Sequence, residues 1–249
     1  MKNYFYRFDG VFCLKYAGAM EKARQLDREL QAVGVTRHFD ILNSKTPLNS
    51  FALRNLPKRE KVIGDATLDC TLGHIRMICA AYQMGCESAL FCEDDIGFLR
   101  GGAEDYLPVN TLPDGFGVAL FDYAPWDCLV ISGADEKLAS DAVQLWKSEL
   151  RKVNEDWFSA KKARLLSCYA LDRRGMEAFI NCYDQALNGR RRFLLCDHWL
   201  HKSFLGLDIH ICSKPLAVQM PQAQSNTNQI LFRRVYDGLG VDISKYGHK

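Results

Sequence analysis

The ten cysteines of this sequence include no Cys-x-x-Cys pair, no apolar run reaches the roughly 18 to 20 residues of a bilayer span, and net charge is almost absent. Each lack closes off a class. Without paired spacing, a structural zinc finger or a thioredoxin-type centre is argued against. Cys13, Cys70, Cys79, Cys86, Cys92, Cys128, Cys168, Cys182, Cys196 and Cys212 then read as reduced thiols, most inside apolar runs, where a free cysteine behaves as a small hydrophobe. A formal charge of +2, from 32 basic and 30 acidic residues spread along the chain, gives no overall field to attract nucleic acid, so any basic function is local. Met1 to Val11 carries Lys2, Arg7 and Asp9 among aromatics and lacks the apolar stretch of a signal peptide. The expectation is a cytoplasmic protein with at most a peripheral contact at the inner membrane. No internal repeat and no low-complexity tract is present.

What is there is enough for one sizeable core: 249 residues, 48% hydrophobic. A single domain over 1–249 is expected, with 1–95 as one half, 96–228 as the other and 229–249 as a basic tail that either docks or moves freely. Val11 to Leu14 predicts a strand. Met20, Ala23, Leu26, Leu30 and Val33 recur at helical steps up to Gly34, and a strand over His38 to Leu42 follows. Beyond a loop over Asn43 to Asp65, a helix is predicted from Thr71 to Met84 and a strand over Ala89 to Cys92. Trp126 to Ser132, Leu165 to Leu171 and Asp208 to Cys212 read as strands, and Glu136 to Val153 and Arg173 to Asn188 as helices. Strand–helix–strand order implies an α/β fold with a mixed, mostly parallel central sheet flanked by helices.

The feature richest in chemistry is Phe91-Cys92-Glu93-Asp94-Asp95. Three acids follow a strand buried on both faces, where their repulsion calls for a counter-charge. In an extended segment Glu93 and Asp95 share a face while Asp94 turns away. Hard oxygen ligands of this kind suit Mn2+ or Mg2+ carrying a substrate diphosphate, in the crevice at the carboxyl ends of sheet strands. A solvated acidic turn is the plainer alternative. Gly73-His74-Ile75-Arg76, near the predicted start of a helix, offers backbone N–H groups and a guanidinium to phosphate, although a histidine there also serves as packing. In Cys196-Asp197-His198-Trp199, two readings stay open for Asp197. It is a general base, or it caps the helix that follows and leaves His198 exposed. Arg190, Arg191 and Arg192 are either solvated or meet an anionic acceptor.

Taken in order, Cys70-Thr71-Leu72-Gly73-His74-Ile75-Arg76, Ala89-Leu90-Phe91-Cys92-Glu93-Asp94-Asp95, Trp126-Asp127-Cys128-Leu129-Val130, Cys168-Tyr169-Ala170-Leu171 and Cys196-Asp197-His198 resemble family 25 glycosyltransferases, the group of lipopolysaccharide-type and collagen-type galactosyltransferases. The resemblance runs from about Val11 to Asn228. It implies a GT-A-like nucleotide-binding fold, a UDP-sugar donor, commonly UDP-galactose or another UDP-hexose, and inverting transfer to a glycan or glycolipid acceptor. By position, Asp95 and Glu93 are implied to hold the divalent metal. His74, Arg76, Glu93, Asp94 and Ser225 are implied to face the donor, and Asp197 to be the base. The resemblance departs at Phe12-Cys13-Leu14-Lys15, where Arg24 is a possible counterpart of the family's arginine, and at Gly73. Two other functions fit the same acids: a metal-dependent phosphohydrolase or nucleotidyltransferase, and a non-catalytic binding module that keeps the fold.

Overall fold

A computed structural model of the chain describes residues 3–16, 18–43, 65–125, 136–190, 196–220 and 235–248. The first strand, β1 (Gly10–Tyr16), is buried along all but its last residue, which is why its apolar run shows no alternation. Helix α1 (Met20–Ala32) seats Leu26 and Leu30 on the core. The turn after it uses Gly34 at a φ of 82°, a conformation glycine adopts without steric cost. Strand β2 (Phe39–Asn43), helix α2 (Asp65–Gln83) and strand β3 (Ser88–Glu93) follow. β1 pairs in parallel with both β2 and β3. The chain therefore crosses from β1 to β2 in one direction and from β2 past β1 to β3 in the other, and right-handed crossovers put α1 and α2 on opposite faces of the sheet. Helix α2 begins at Asp65 rather than at the predicted Thr71.

The chain continues through β4 (Ile96–Phe98), a 3-10 turn (Ala103–Tyr106), α3 (Leu107–Asn110), β5 (Val118–Leu120), α4 (Glu136–Ser148), β6 (Arg151–Lys152) and β7 (Trp157–Ala160). It ends with β8 (Cys168–Asp172), α5 (Arg173–Leu187), a 3-10 turn (Cys196–Trp199), α6 (Lys202–Leu205), β9 (Ile209–Cys212), β10 (Ala217–Gln219) and a last 3-10 turn (Ile243–Lys245). Eight strands form one sheet in the order β2-β1-β3-β8-β5-β9-β7-β6, and β4 pairs with β10 in a second, two-stranded sheet. The α/β class and the mixed sheet are present. The mostly parallel sheet is corrected: three neighbouring pairs are parallel and four antiparallel. Continuous apolar strands mark burial on both faces, and β8, buried at every residue, reads the same way while running against its neighbours. Because β8 separates β3 from β5, the strands β1, β2, β3, β5 and β9 all point one way and their carboxyl ends share one edge.

Three further boundaries differ for local reasons. The strand expected from Leu165 starts only at Cys168, because Leu165 takes a φ of 73° that breaks extension. The helix expected to reach Val153 ends at Ser148, and Asn154 Oδ1 accepts from the Asp156 N–H at 2.9 Å in the turn that joins β6 to β7. Helix α5 matches its expected span, with Asp172 Oδ1 accepting from the Gly175 N–H at 2.8 Å as its N-cap. The strand expected over Trp126 to Ser132 lies outside the described residues. A single large core joins side chains from Phe5 to Tyr246. No helix among the described residues is long and apolar enough to cross a membrane.

The segment 235–248 is docked. Tyr236 and Tyr246 are buried, the Tyr246 hydroxyl donates to the Pro215 carbonyl at 2.8 Å, and the Gly247 N–H donates to the Phe98 carbonyl at 2.9 Å. The buried Glu29 of α1 accepts from the Phe98 N–H at 2.9 Å and from His248 Nδ1 at 3.0 Å, which ties α1, β4 and the end of the chain together. The nine described cysteines are all free thiols.

Gly175 lets the first turn of α5 lie against β5, since a Cβ there would collide with the Gly117 carbonyl oxygen. Replacing Gly175 with alanine forces backbone apart from backbone, and the expected loss is about 1–3 kcal/mol of unfolding free energy, read from the urea midpoint.

Candidate functional site

Tyr16, Glu93 and Phe121-Asp122 stand at the shared edge where β1, β3 and β5 end, and the start of β8 lies between the last two. The three consecutive acids part company there. β3 stops at Glu93 and Asp94-Asp95 form a turn into β4, so the extended arrangement holds only through Glu93. Glu93 Oε1 lies 2.9 Å from His74 Nε2 and accepts from the Cys70 thiol at 3.6 Å. Asp94 is buried and its Oδ2 accepts from the Tyr16 N–H at 3.3 Å. Asp95 Oδ2 accepts from Gln219 Nε2 at 3.0 Å, and its carbonyl accepts from the Met220 N–H at 2.7 Å.

Burial raises the Asp94 carboxyl and, with the Glu93 charge added, pushes that of Asp95 up to about 7. Asp122, fully buried, accepts from the Ser167 hydroxyl and, at 2.8 Å, from the Tyr236 hydroxyl. Burial pushes it up to about 7 although both hydroxyls pull it down. The Tyr236 hydroxyl also accepts from the Gln219 N–H at 2.9 Å, so one hydrogen-bonded path runs from Asp95 through Gln219 and Tyr236 to Asp122 and Ser167. Glu93 turns to His74 and Asp95 to Gln219, so the structure does not bring the expected Glu93–Asp95 pair together on one ligand; the Asp94-Asp95 turn keeps oxygen atoms of the kind that hard cations take.

His74 is buried, and its Nδ1 lies 3.0 Å from the Tyr169 hydroxyl. Burial disfavours its charged form, but Cys70 and Glu93 outweigh burial and push His74 up to about 10. The Cys70 thiol is lowered, first by its hydrogen bond with Cys196 and then, against burial and Glu93, by His74. The phosphate-binding helix start expected at His74 and Arg76 is corrected, because α2 starts at Asp65 and both residues lie well inside it. Arg76 is exposed and close enough for its charge to act on the Tyr183 hydroxyl of α5; it does not join the acids.

Asp197 sits in the 3-10 turn Cys196–Trp199, which is tied to α2 by the Cys196 N–H donating to Thr71 Oγ1 at 3.2 Å. Its Oδ2 accepts from buried Arg164 at 3.2 Å, while its Oδ1 accepts no hydrogen bond among the described residues. The capping alternative is corrected: helix α6 takes His201 as its cap, with Nδ1 accepting from the Ser203 N–H at 3.1 Å, and His198 is half-buried. Leu165, next to Arg164, holds the positive φ noted above, a strained conformation of the sort found beside functional sites. Arg24 is exposed and lies 3.8 Å from Glu21. Arg190 is exposed, whereas Arg191, Arg192 and Ser225 lie outside the described residues.

Sequence reasoning missed Asp122, Arg164 and the role of Gln219. Asp122 carries the signal that exposed Glu93, an acid directly after the apolar run Val118-Ala119-Leu120-Phe121. Lys15 is also buried, between Asp27 at 2.6 Å and Asp40 at 2.9 Å.

Asp122 sets a pH dependence whose sign is fixed by its raised pKa. The folded protein holds a proton there up to about 7, while the unfolded chain releases it near the ordinary 3.8. The stability it contributes is complete below pH 4 and is lost as pH rises through 7, a change of the order of a few kcal/mol. The expected outcome is that the stability of the wild type relative to Asp122→Asn falls from pH 4 to pH 8, read from paired urea titrations.

Compared with known proteins, the chain matches no family model and no curated protein.

Proposed function

We propose that the protein is a GT-A-like glycosyltransferase that moves a hexose, galactose in the first instance, from a UDP-sugar to a hydroxyl of a glycan or glycolipid acceptor with inversion. The observation that carries this reading is the gathering of Glu93, Asp94, Asp95, Asp122 and Asp197 around the carboxyl ends of co-directional strands, with two of the carboxyls up at about 7. That edge of an open α/β sheet is where ligands bind, and its excess of buried negative charge suits a cation-borne diphosphate.

In this reading the Asp94-Asp95 turn receives the donor's cation, Glu93 having turned its Oε1 toward His74. When bound, the divalent cation offsets the charge that builds on the departing UDP. Gln219 and Tyr236 keep the Asp95 carboxylate aimed, so little reorganisation is needed as charge develops. Asp197, steadied through Oδ2 by Arg164, has Oδ1 available to take the proton of the acceptor hydroxyl. That oxygen then attacks the anomeric carbon on the face opposite the UDP. His74 acts through Glu93 and not on phosphate.

The test incubates purified protein with Mn2+ and each common UDP-sugar and records UDP release with and without an acceptor mixture. Release from one donor is expected, lost in Asp95→Ala, with kcat in Asp197→Asn lower by roughly 10²- to 10⁴-fold. Phosphate or pyrophosphate release without any sugar transfer would support the hydrolase or nucleotidyltransferase reading. No release, together with no nucleotide binding by calorimetry, would leave a non-catalytic binding module.

A further inference from the structure

We propose that Cys70, His74 and Glu93 form a zinc site, with the Cys70 sulfur, His74 Nε2 and Glu93 Oε1 as its three protein ligands. These three atoms lie within 4.8 Å of one another. Two of the edges are 2.9 Å, from His74 to Glu93, and 3.6 Å, from Cys70 to Glu93. A tetrahedral Zn2+ with bonds of about 2.0 Å to nitrogen and oxygen and about 2.3 Å to sulfur needs edges of roughly 3.3–3.6 Å. For these two edges, shifts of a few tenths of an ångström, well within side-chain reach, bring the distances into that range.

The scaffold prepares this arrangement. Cys70 and His74 are four residues apart on α2, hence on one face of the helix, and Glu93 comes from the end of β3. His74 is buried, and the contact of its Nδ1 with the Tyr169 hydroxyl at 3.0 Å fixes the ring. With Nδ1–H donating there, a metal that displaces the Nε2 proton would meet an Nε2 lone pair aimed at the cluster, the usual support behind a metal-bound histidine. Cys196 stands beside Cys70 outside the triad, and its N–H donates to Thr71 Oγ1 at 3.2 Å. Thiolate, imidazole and one carboxylate select zinc over the hard cations that suit Asp94 and Asp95, so the two sites differ in chemistry as well as in residues. Three protein ligands leave a fourth position for water or another donor. A second grouping, Cys13, His38 and Asp40, has comparable spacing, but the Lys15 ammonium at 2.9 Å from Asp40 already supplies its positive charge.

The site stands independently of glycosyl transfer, and the probe is Co2+ added to the full-length protein. A sulfur-to-cobalt charge-transfer band at one equivalent is expected, displaced by Zn2+ and absent in Cys70→Ser. Asp95→Asn keeps the band, which separates this site from the donor's cation. Tyr169→Phe weakens Zn2+ binding by roughly 10- to 100-fold, since it keeps the ring and removes only the support of His74. No band in the wild type, or a band that survives Cys70→Ser, overturns the proposal. If circular dichroism shows Cys70→Ser unfolded, Tyr169→Phe decides: an unchanged Zn2+ affinity overturns the site and a weakened one sustains it.

Discussion

Four aromatic rings standing in register across four neighbouring strands are the interaction on which the rest depends. Phe39 of β2, Phe12 of β1, Phe91 of β3 and Tyr169 of β8 occupy directly paired positions, with centroids 5.0, 5.7 and 5.1 Å apart in turn. Pairs of this geometry are each worth about 0.5–1.5 kcal/mol beyond the area they bury, and a slip of one residue would turn every ring to the other face. The row thereby fixes how far β3 and β8 reach toward the shared edge. Its last ring is the one whose hydroxyl meets His74, so the register of the sheet is passed to Glu93 through a single imidazole.

At that edge the difficulty is electrostatic. Several carboxylates end where the solvent is excluded, and each is relieved differently: Glu93 by an imidazole, Asp94 by a backbone N–H, Asp95 by an amide, Asp122 by two hydroxyls and Asp197 by a guanidinium. Of the partners named here, the imidazole beside Glu93 and the guanidinium beside Asp197 are the two able to carry positive charge. Neutral donors soften the penalty of burying an anion but do not cancel it, which leaves Asp95 and Asp122 raised.

Much of this was legible in the sequence where signals are local. Gly34 and Gly189 marked helix ends, the apolar run before Glu93 marked a buried strand, and Asp197 stood out as an acid among bulky apolar residues. Strand direction was not legible, because Cys168-Tyr169-Ala170-Leu171 would read alike in a parallel or an antiparallel sheet. Short strands such as Ile96–Phe98 and Ala217–Gln219 exist through their pairing with each other, which no three-residue window contains. The partners of the acids were hidden for a related reason: Gln219 reaches Asp95 from far along the chain, and its sequence neighbourhood of Val218 and Met220 says only that it is half-buried.

The antiparallel wedge of β8 has a consequence for how the molecule comes to exist. β3 cannot be closed on both edges until residues some seventy-six positions later, those around Cys168, have arrived beside Cys92. β5 is likewise left with an open edge until β9 comes in. Chains dominated by such distant pairings assemble slowly, because loop entropy is spent before contact is gained. The β1-α1-β2 unit and the β6–β7 hairpin can form early from neighbours in sequence, and the acidic edge emerges only when the strand order is complete. Appearance of that edge during refolding would mark the final, cooperative step of folding.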